Sequence, residues 1–566
     1  MSGKIFDLSD HEMLLDKAEK FYDEGMIEEA FICLNRAYDV KKSIGATLLY
    51  AKLYYEIGDF DYAVQKCYEI KLDKSEKTPD ILYETATLLF KINFFEGRFD
   101  LADECFSELK EIEESSGFEY KDDYDFDGID AFLDYYKNDY NAFRVIDKNE
   151  EATKEMLKDA FDRIAIDDYS GAARLLKDSI DTAGSSQHNM LMMCYINLHK
   201  YKQAEKLAEK MLQNEDTKFL GMLNMINIGV FKKDSVMRDK YTEMLSDCPV
   251  DDEDDIEKAV ATMILANDHA MVEKFTCKLL DIRPYDMENL YYLACAYYCQ
   301  GKKSQAKQTY KKIYDIYGEN SRAQFFLRYC EKDMTVYYNS PLPFEYFGIL
   351  SNMFESVARG AGLGELLENS ESRELIYLAL MIEELRNEVF IYLSAYLEEP
   401  SVCSILKRFF LDINIVDEFK EFAAKNMIIN SVAFDFEYIS RDRCGRFCFD
   451  GKNDITDNAS INSAYVHLIL RLLFRSPDEL KNIDNYKSLF VTLGNAINDI
   501  IANDKDAETP AVKNLSLKNE KAAAAAVYFR ANYMQKKQAG AVARLFDTSA
   551  AMLGKYLQII NTEILK

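Results

Sequence analysis

"KAEKFYDEGMIEEAFICLNRAYDV", residues 17–40, sets out a small residue, an aromatic, a glycine, an alanine and two further apolar positions as Ala18, Phe21, Gly25, Ala30, Leu34 and Ala37. Ala18 and Phe21 lie one turn apart on one helix face. Gly25 supplies a left-handed residue that ends the helix, and polar residues after it open a second one. That second helix approaches the first closely only where Ala30 removes bulk at the crossing. The same order returns 33 residues on as Ala51, Tyr54, Gly58, Ala63, Cys67 and Ile70, and again as Ala294, Tyr297, Gly301, Ala306, Tyr310 and Ile313. Two short helices cannot bury their apolar stripes alone, so the pattern predicts stacked helical hairpins.

Partial copies fill much of the interval. "NFFEGRFDLADECFSELKEI" keeps Gly97, Ala102, Phe106 and Leu109. "DAFDRIAIDDYSGAARLLKDSI" keeps Ala160 and Ala172 with Asp167 at the turn, and "LMMCYINLHKYKQAEKLAEKML" keeps Tyr195, Ala204 and Ala208 with His199 there. Between about 217 and 284 the helical period persists while the signature fades. These residues resemble the tetratricopeptide repeat (TPR) family, over roughly residues 8 to 332. The resemblance implies an α-solenoid whose concave face takes a protein or peptide. Tyr55 and Tyr298, each beside a packed tyrosine, are the partner-binding candidates on that face.

The 566 residues carry a net charge of −29, few prolines (8) and few glycines (22), as befits long helices with short turns. The start "MSGKIFDLSDHEM" is polar and acidic rather than a secretory leader. No apolar run reaches the roughly 18 residues of a membrane span. The 12 cysteines read as reduced thiols of a cytoplasmic chain. Residues 111 to 134 hold ten carboxylates against one lysine, and 247 to 257 hold seven against no base; such runs read as solvated linkers.

"MTVYYNSPLPFEYF" ends the array, because Pro341 and Pro343 forbid continuation of a helix. The expected organisation is a repeat array over 1–335, a helical region with a HEAT-like pair over 344–430, a β-hairpin over 431–450 and a C-terminal helical domain over 460–566. The hairpin rests on the alternation of Val432, Phe434, Phe436 and Tyr438 before a glycine-containing polar turn. The fold class is therefore mostly α, an α-solenoid followed by a helical region with one small hairpin. Near the end, at about 538–560, Ala543, Asp547, Ser549 and Leu553 resemble a helix-turn-helix, with Ser549 as the cap of its second helix. The tail from 518 holds eight Lys/Arg against three acids. Its Lys536, Lys537, Arg544 and Lys555 are the nucleic-acid contacts of an alternative reading. That second helix has few base-reading side chains, which favours a structural role.

Chemistry-bearing patterns are sparse. Asp123, Asp125, Asp127 and Asp134 with Gly128 have calcium-loop spacing, but Asp130 stands where an apolar anchor belongs. Cys444 and Cys448 across a tight turn would be half a zinc site, and Cys403 and His467 lie too far off in sequence to complete it. Gly360, Gly362 and Gly364 lack the preceding strand of a dinucleotide site. No nucleophile, base or metal set is complete. The reading is a non-enzymatic scaffold or adaptor that binds protein, with no cofactor and no metal; the alternative is a regulator whose C-terminal unit touches nucleic acid.

Overall fold

The computed structural model describes residues 8–116, 126–135, 156–157, 159–161, 163–164, 168–177, 185–215, 217–318, 327, scattered positions from 367 to 397, and residues 399–429, 433–449, 459–475, 483–503, 520–532, 539–546 and 548–564. Its helices begin α1 (Leu8–Asp23), α2 (Ile27–Val40), α3 (Ile44–Glu56), α4 (Phe60–Leu72), α5 (Pro79–Phe95), α6 (Phe99–Ser116) and α7 (Phe126–Tyr135). They continue with α8 (Tyr169–Lys177), α9 (Ser185–Asn197), α10 (Tyr201–Leu212), α11 (Lys218–Lys232), α12 (Ser235–Ser246), α13 (Glu253–Ala266), α14 (His269–Ile282), α15 (Met287–Cys299) and α16 (Lys303–Tyr317). Then come α17 (Pro400–Leu411), α18 (Asp417–Ile429), β1 (Phe434–Ile439) and β2 (Cys444–Phe449). The last helices are α19 (Ala459–Arg475), α20 (Ile483–Asn503), α21 (Glu520–Ala531), α22 (Ala539–Leu545) and α23 (Ala550–Ile564).

Packing divides the chain into two compact units, Met1–Lys41 with Glu56–Asp59 and Glu96–Ile349, and Lys42–Tyr55 with Phe60–Phe95 and Leu350–Lys566. Helices α4, α5 and most of α3, repeat-like in sequence, thus group with the second half of the chain.

In the first unit the hairpins repeat on one backbone device. Residues His199, Lys233, Asn267 and Gly301 all have positive φ, and each stands 34 residues after the one before. After each of them the next amide reaches back to a carbonyl five residues earlier: Lys200 to Tyr195, Asp234 to Gly229, Asp268 to Met263 and Lys302 to Tyr297, at 2.8 to 3.0 Å. These bonds satisfy carbonyls that a helix end leaves open. An aspartate caps four consecutive helices of this series, α12 to α15. Asp234, Asp252, Asp268 and Asp286 accept from the amides of Met237, Asp255, Met271 and Asn289 at 2.8 to 3.1 Å. The repeat therefore runs unbroken through the stretch where its sequence signature fades.

The signature fades partly because the small residue changes helix. In α15/α16 the alanine of the crossing is Ala306, fully buried on the second helix. In α11/α12 that position is Arg238, and the gap is made by Gly229 on the first helix. A Cβ on Gly229 would lie 2.9 Å from the amide nitrogen and 3.1 Å from the Cα of Arg238. Bulk on one helix is thus matched by its absence on the other. Ala18, Ala30, Ala63 and Ala294 are likewise fully buried, as the crossings require.

The acidic run at 247 to 257 is a helix start rather than a linker. Glu253, Asp254 and Asp255 fill the first turn of α13, where carboxylates favour the helix dipole. Arg283 holds Glu253 at 2.6 Å and Asp286 at 3.3 Å, and also pairs with Glu257. The second acidic run includes Asp127 to Asp134, which belong to α7 and not to a loop.

In the second unit α4 packs on α5 and on both strands, while α17 packs on β1. The strands pair antiparallel with Phe434 opposite Phe449 and Ile439 opposite Cys444. Gly445 lies within β2, not in the turn: a Cβ there would come 2.8 Å from the Tyr438 hydroxyl, so the glycine makes room for that ring. Between α17 and α18 the chain turns a corner whose main chain needs side-chain partners. Gln65 accepts from the Ile413 amide at 3.2 Å, Asp412 accepts from the Asn414 amide at 3.0 Å, and Lys420 donates to the Ile439 carbonyl. Tyr377 donates to Asp412. Further on, α21 is a helix buried all round: Ala522 to Phe529 are covered, and α19, α20, α22 and α23 pack on it. Its run of alanines lets those neighbours come close.

Candidate protein-interaction surface

The first helices α9, α11 and α13 lie side by side, with α11 between the others. Their exposed faces are set by distance from the left-handed turn residue. Two places before it stand Asn197, Phe231 and Leu265; six places before it stand Met193, Asn227 and Ala261. Each such pair is one helical turn apart and shares a face. Phe231 is 49 % and Leu265 54 % exposed. Beside them Asn224 donates to Asn189 Oδ1 at 3.2 Å, tying α11 to α9. The Oδ1 of Asn227 is shielded from solvent yet accepts no hydrogen bond within the described protein. Shielded from solvent, that oxygen is shielded from a partner too, so the exposed side chains of Phe231 and Leu265 carry the candidate surface.

Tyr298 stands three places before Gly301 on α15 and is half-buried. Tyr55 is half-buried as well; its ring lies 5.7 Å from that of Phe60, which lies 5.4 Å from Phe95, a residue 78 % exposed. The two tyrosines fall in different units. Sequence reading missed Phe231, Leu265 and Asn227 because their hairpins lack the glycine that marks the turn. The spacing of the aspartate caps, 234 to 268 and 252 to 286, carries the same register and was the available signal.

The remaining candidates separate. Among the described residues no three His, Cys, Asp or Glu side chains gather to hold a metal ion. Asp127 and Asp134 lie on α7, while Asp123 and Asp125 fall outside the described residues, as do Gly360, Gly362 and Gly364. Cys444 and Cys448 do not face each other across a turn. Both lie on β2, opposite Ile439 and Asp435, and four residues of strand separate their backbones by about 13 Å. Burial pushes the Cys194 thiol up to about 11 and raises that of Cys277, which makes both poor nucleophiles.

At the C-terminus, Ser549 Oγ accepts from the Met552 amide at 3.2 Å and caps α23. Helix α23 packs on α20, α21 and α22, burying Leu553, Tyr556 and Ile560 and leaving Lys555 and Gln558 exposed. Ala543 is buried; Asp547, Lys536 and Lys537 lie outside the described residues, and so does the Arg544 side chain. No helix among the described residues is long and apolar enough to cross a membrane.

The chain matches no family model and no curated protein. Among solved structures, it is similar at 12 % identity to a chain of the APC/C hetero-tetramer Cut9-Hcn1, over 97 % of this chain and 96 % of that one, with a TM-score of 0.20. It is also similar at 12 % identity to a chain of Naa15/Naa10 bound to HypK-THB, over 98 % and 94 %, with a TM-score of 0.22. Likenesses at these scores carry no argument, and the TPR-like description rests on the turns and crossings given above.

Proposed function

We propose that the chain is a non-enzymatic cytoplasmic scaffold that binds a protein segment along the exposed faces of α9, α11 and α13. The observation that supports this most is the pair Phe231 and Leu265, two large apolar side chains left exposed at equivalent positions of neighbouring hairpins. Met193 on α9, one turn from the equivalent position, is 44 % exposed and extends the apolar patch. Apolar anchors flanked by a few placed polar groups are the usual composition of a protein-binding patch.

The test compares proteins cross-linked to the full chain in cells. Phe231→Glu with Leu265→Glu is expected to lose partners that Val236→Glu, an equally apolar exposed position on α12, retains. Retention of the same partners by the double variant, with its helical content unchanged, sinks the assignment.

A further inference from the structure

Phe231 and Leu265 each stand two residues before a left-handed turn residue, and the turns after α9 and α11 are basic. Residues 199–202 and 232–234 hold Lys200, Lys202, Lys232 and Lys233 against a single carboxylate, Asp234. That sign runs against a chain whose net charge is −29. Asp234 is engaged by the Met237 amide, and Lys232 by Glu205. Lys200, Lys202 and Lys233 are exposed and form no ion pair among the described residues. Because α9 and α11 are neighbours, their turns lie about 10 Å apart, within reach of one short peptide.

Lys233 supplies a second, independent observation. Its φ of 59° belongs to the region that glycine takes in the turns at Gly25, Gly58, Gly97 and Gly301. A lysine there bears backbone strain, and its exposed side chain returns no ion pair among the described residues. The far end of the same face is acidic. Helix α13 opens with Glu253, Asp254 and Asp255, and Asp254 stands about 16 Å along the helix from Leu265. A polyanion laid along the face meets repulsion there, whereas a peptide with carboxylates on one side of its apolar residues can meet the lysines alone. Resting on the surface proposed for Phe231 and Leu265, we propose that the bound peptide carries Asp or Glu side chains next to its apolar anchors, and that Lys200, Lys202 and Lys233 pair with them.

Selection on the full chain from a displayed library of random peptides of about 12 residues, long enough to cross two hairpins, tests this. Peptides whose binding is lost with Phe231→Glu/Leu265→Glu should carry Asp or Glu beside Phe, Leu or Met. Made synthetically, they should bind the Lys200→Glu/Lys202→Glu/Lys233→Glu chain about 10-fold more weakly, as fits three exposed pairs, with less difference at high salt. Selection on that variant should instead enrich Lys or Arg at the same places. Lys200→Ala/Lys202→Ala, which leaves the turn residue in place, should weaken binding in the same direction by a smaller factor. Peptides that need Phe231 and Leu265 but carry neutral or basic flanks, or that bind the triple variant equally well, overturn the acidic partner and leave the surface standing. Absence of any peptide that needs Phe231 and Leu265 overturns surface and partner together. Oligothymidine held by the original chain at physiological salt and released by the triple variant would assign the lysines to nucleic acid, and would overturn the acidic peptide as well.

Discussion

The two units differ in what they bury. Among the described residues, the polar side chains buried in the first unit are neutral by constitution or a histidine: His11, Gln187, Asn224, Thr262, Thr276 and Asn289. The second unit buries Lys66, Arg386, Asp412 and Lys420. The reason lies in the main chain. In the first unit a helix-to-helix turn closes its own hydrogen bonds within six residues, so no charged side chain has to be brought inside. In the second, the corner at 412–416 and the end of β1 leave amides and carbonyls that Gln65, Asp412 and Lys420 satisfy. Regular repeats should therefore fail through sterics, and the irregular unit through charge.

The largest expected effect is steric. Ala306→Arg forces a long cation into a crossing with no exposed surface, and should cost about 3–5 kcal/mol. Thermal unfolding against Lys202→Ala, an exposed position on α10 expected to change stability by less than about 0.5 kcal/mol, checks it. Similar melting temperatures for the two would mean that the crossing is misplaced.

The electrostatic counterpart is Lys420. Burial lowers its ammonium to about 8, against the ordinary 10.5, while Asp412 and Asp417 act in the opposite sense. The folded state therefore binds fewer protons than the unfolded chain between pH 8 and 10.5, so this residue makes stability rise with pH across that window, by up to about 1.4 kcal/mol per unit. Tyrosines work the other way: burial and the neighbouring Asp412 push the Tyr377 phenol well above its usual range, so stability falls as unfolded tyrosine ionises. Subtracting Lys420→Met from the original chain isolates the lysine. Their difference in unfolding free energy should shift in favour of the original chain from pH 8 to 10.5, and a pH-independent difference would refute the buried charge.

How much of this was legible in the sequence follows the same division. Gly25, Gly58 and Gly301 marked left-handed turns, and Ala18, Ala30, Ala63 and Ala306 marked crossings, because only small residues meet those demands cheaply. The helical class and the hairpin at Phe434 to Phe449 could be read from periodicity. Lys233 was illegible as a turn, since nothing about a lysine advertises positive φ, whereas Asn267 is a residue type that favours it and went unread. Gly445 was misread for the opposite reason: a glycine that makes room for Tyr438 looks the same in sequence as one that bends the chain. The pairing of α2 with α16 left no local mark, because contacts 280 residues apart impose no spacing on the sequence. The exposed pair Phe231 and Leu265, on which the proposed interaction surface rests, was missed with the turns that set its register.

Gly229 turns the exchanged crossing into a measurement. In an exposed helix interior, Gly→Ala commonly gains up to about 1 kcal/mol. Here the added methyl would meet the backbone of Arg238 at 2.9 Å, so Gly229→Ala should instead cost about 1–3 kcal/mol. Denaturant unfolding gives the sign directly. A gain in stability would show that α11 and α12 have room between them, and that Arg238 occupies its alanine-like position for some other reason.

The smallest effect probes the turns themselves. Lys233 has φ 59° and is exposed, so its side chain keeps the strain of the left-handed region without a packing return. Glycine removes that strain but gives the unfolded chain more freedom, which offsets part of the gain. Lys233→Gly should therefore stabilise the first unit by about 0.5–1 kcal/mol. The same substitution at Lys232 should destabilise it, because that residue lies inside α11 and its ammonium pairs with Glu205 at 2.5 Å. Opposite signs at adjacent lysines are what a 34-residue register of left-handed turns requires. Loss of stability at both would place the end of α11 elsewhere and remove Phe231 from its register with Leu265.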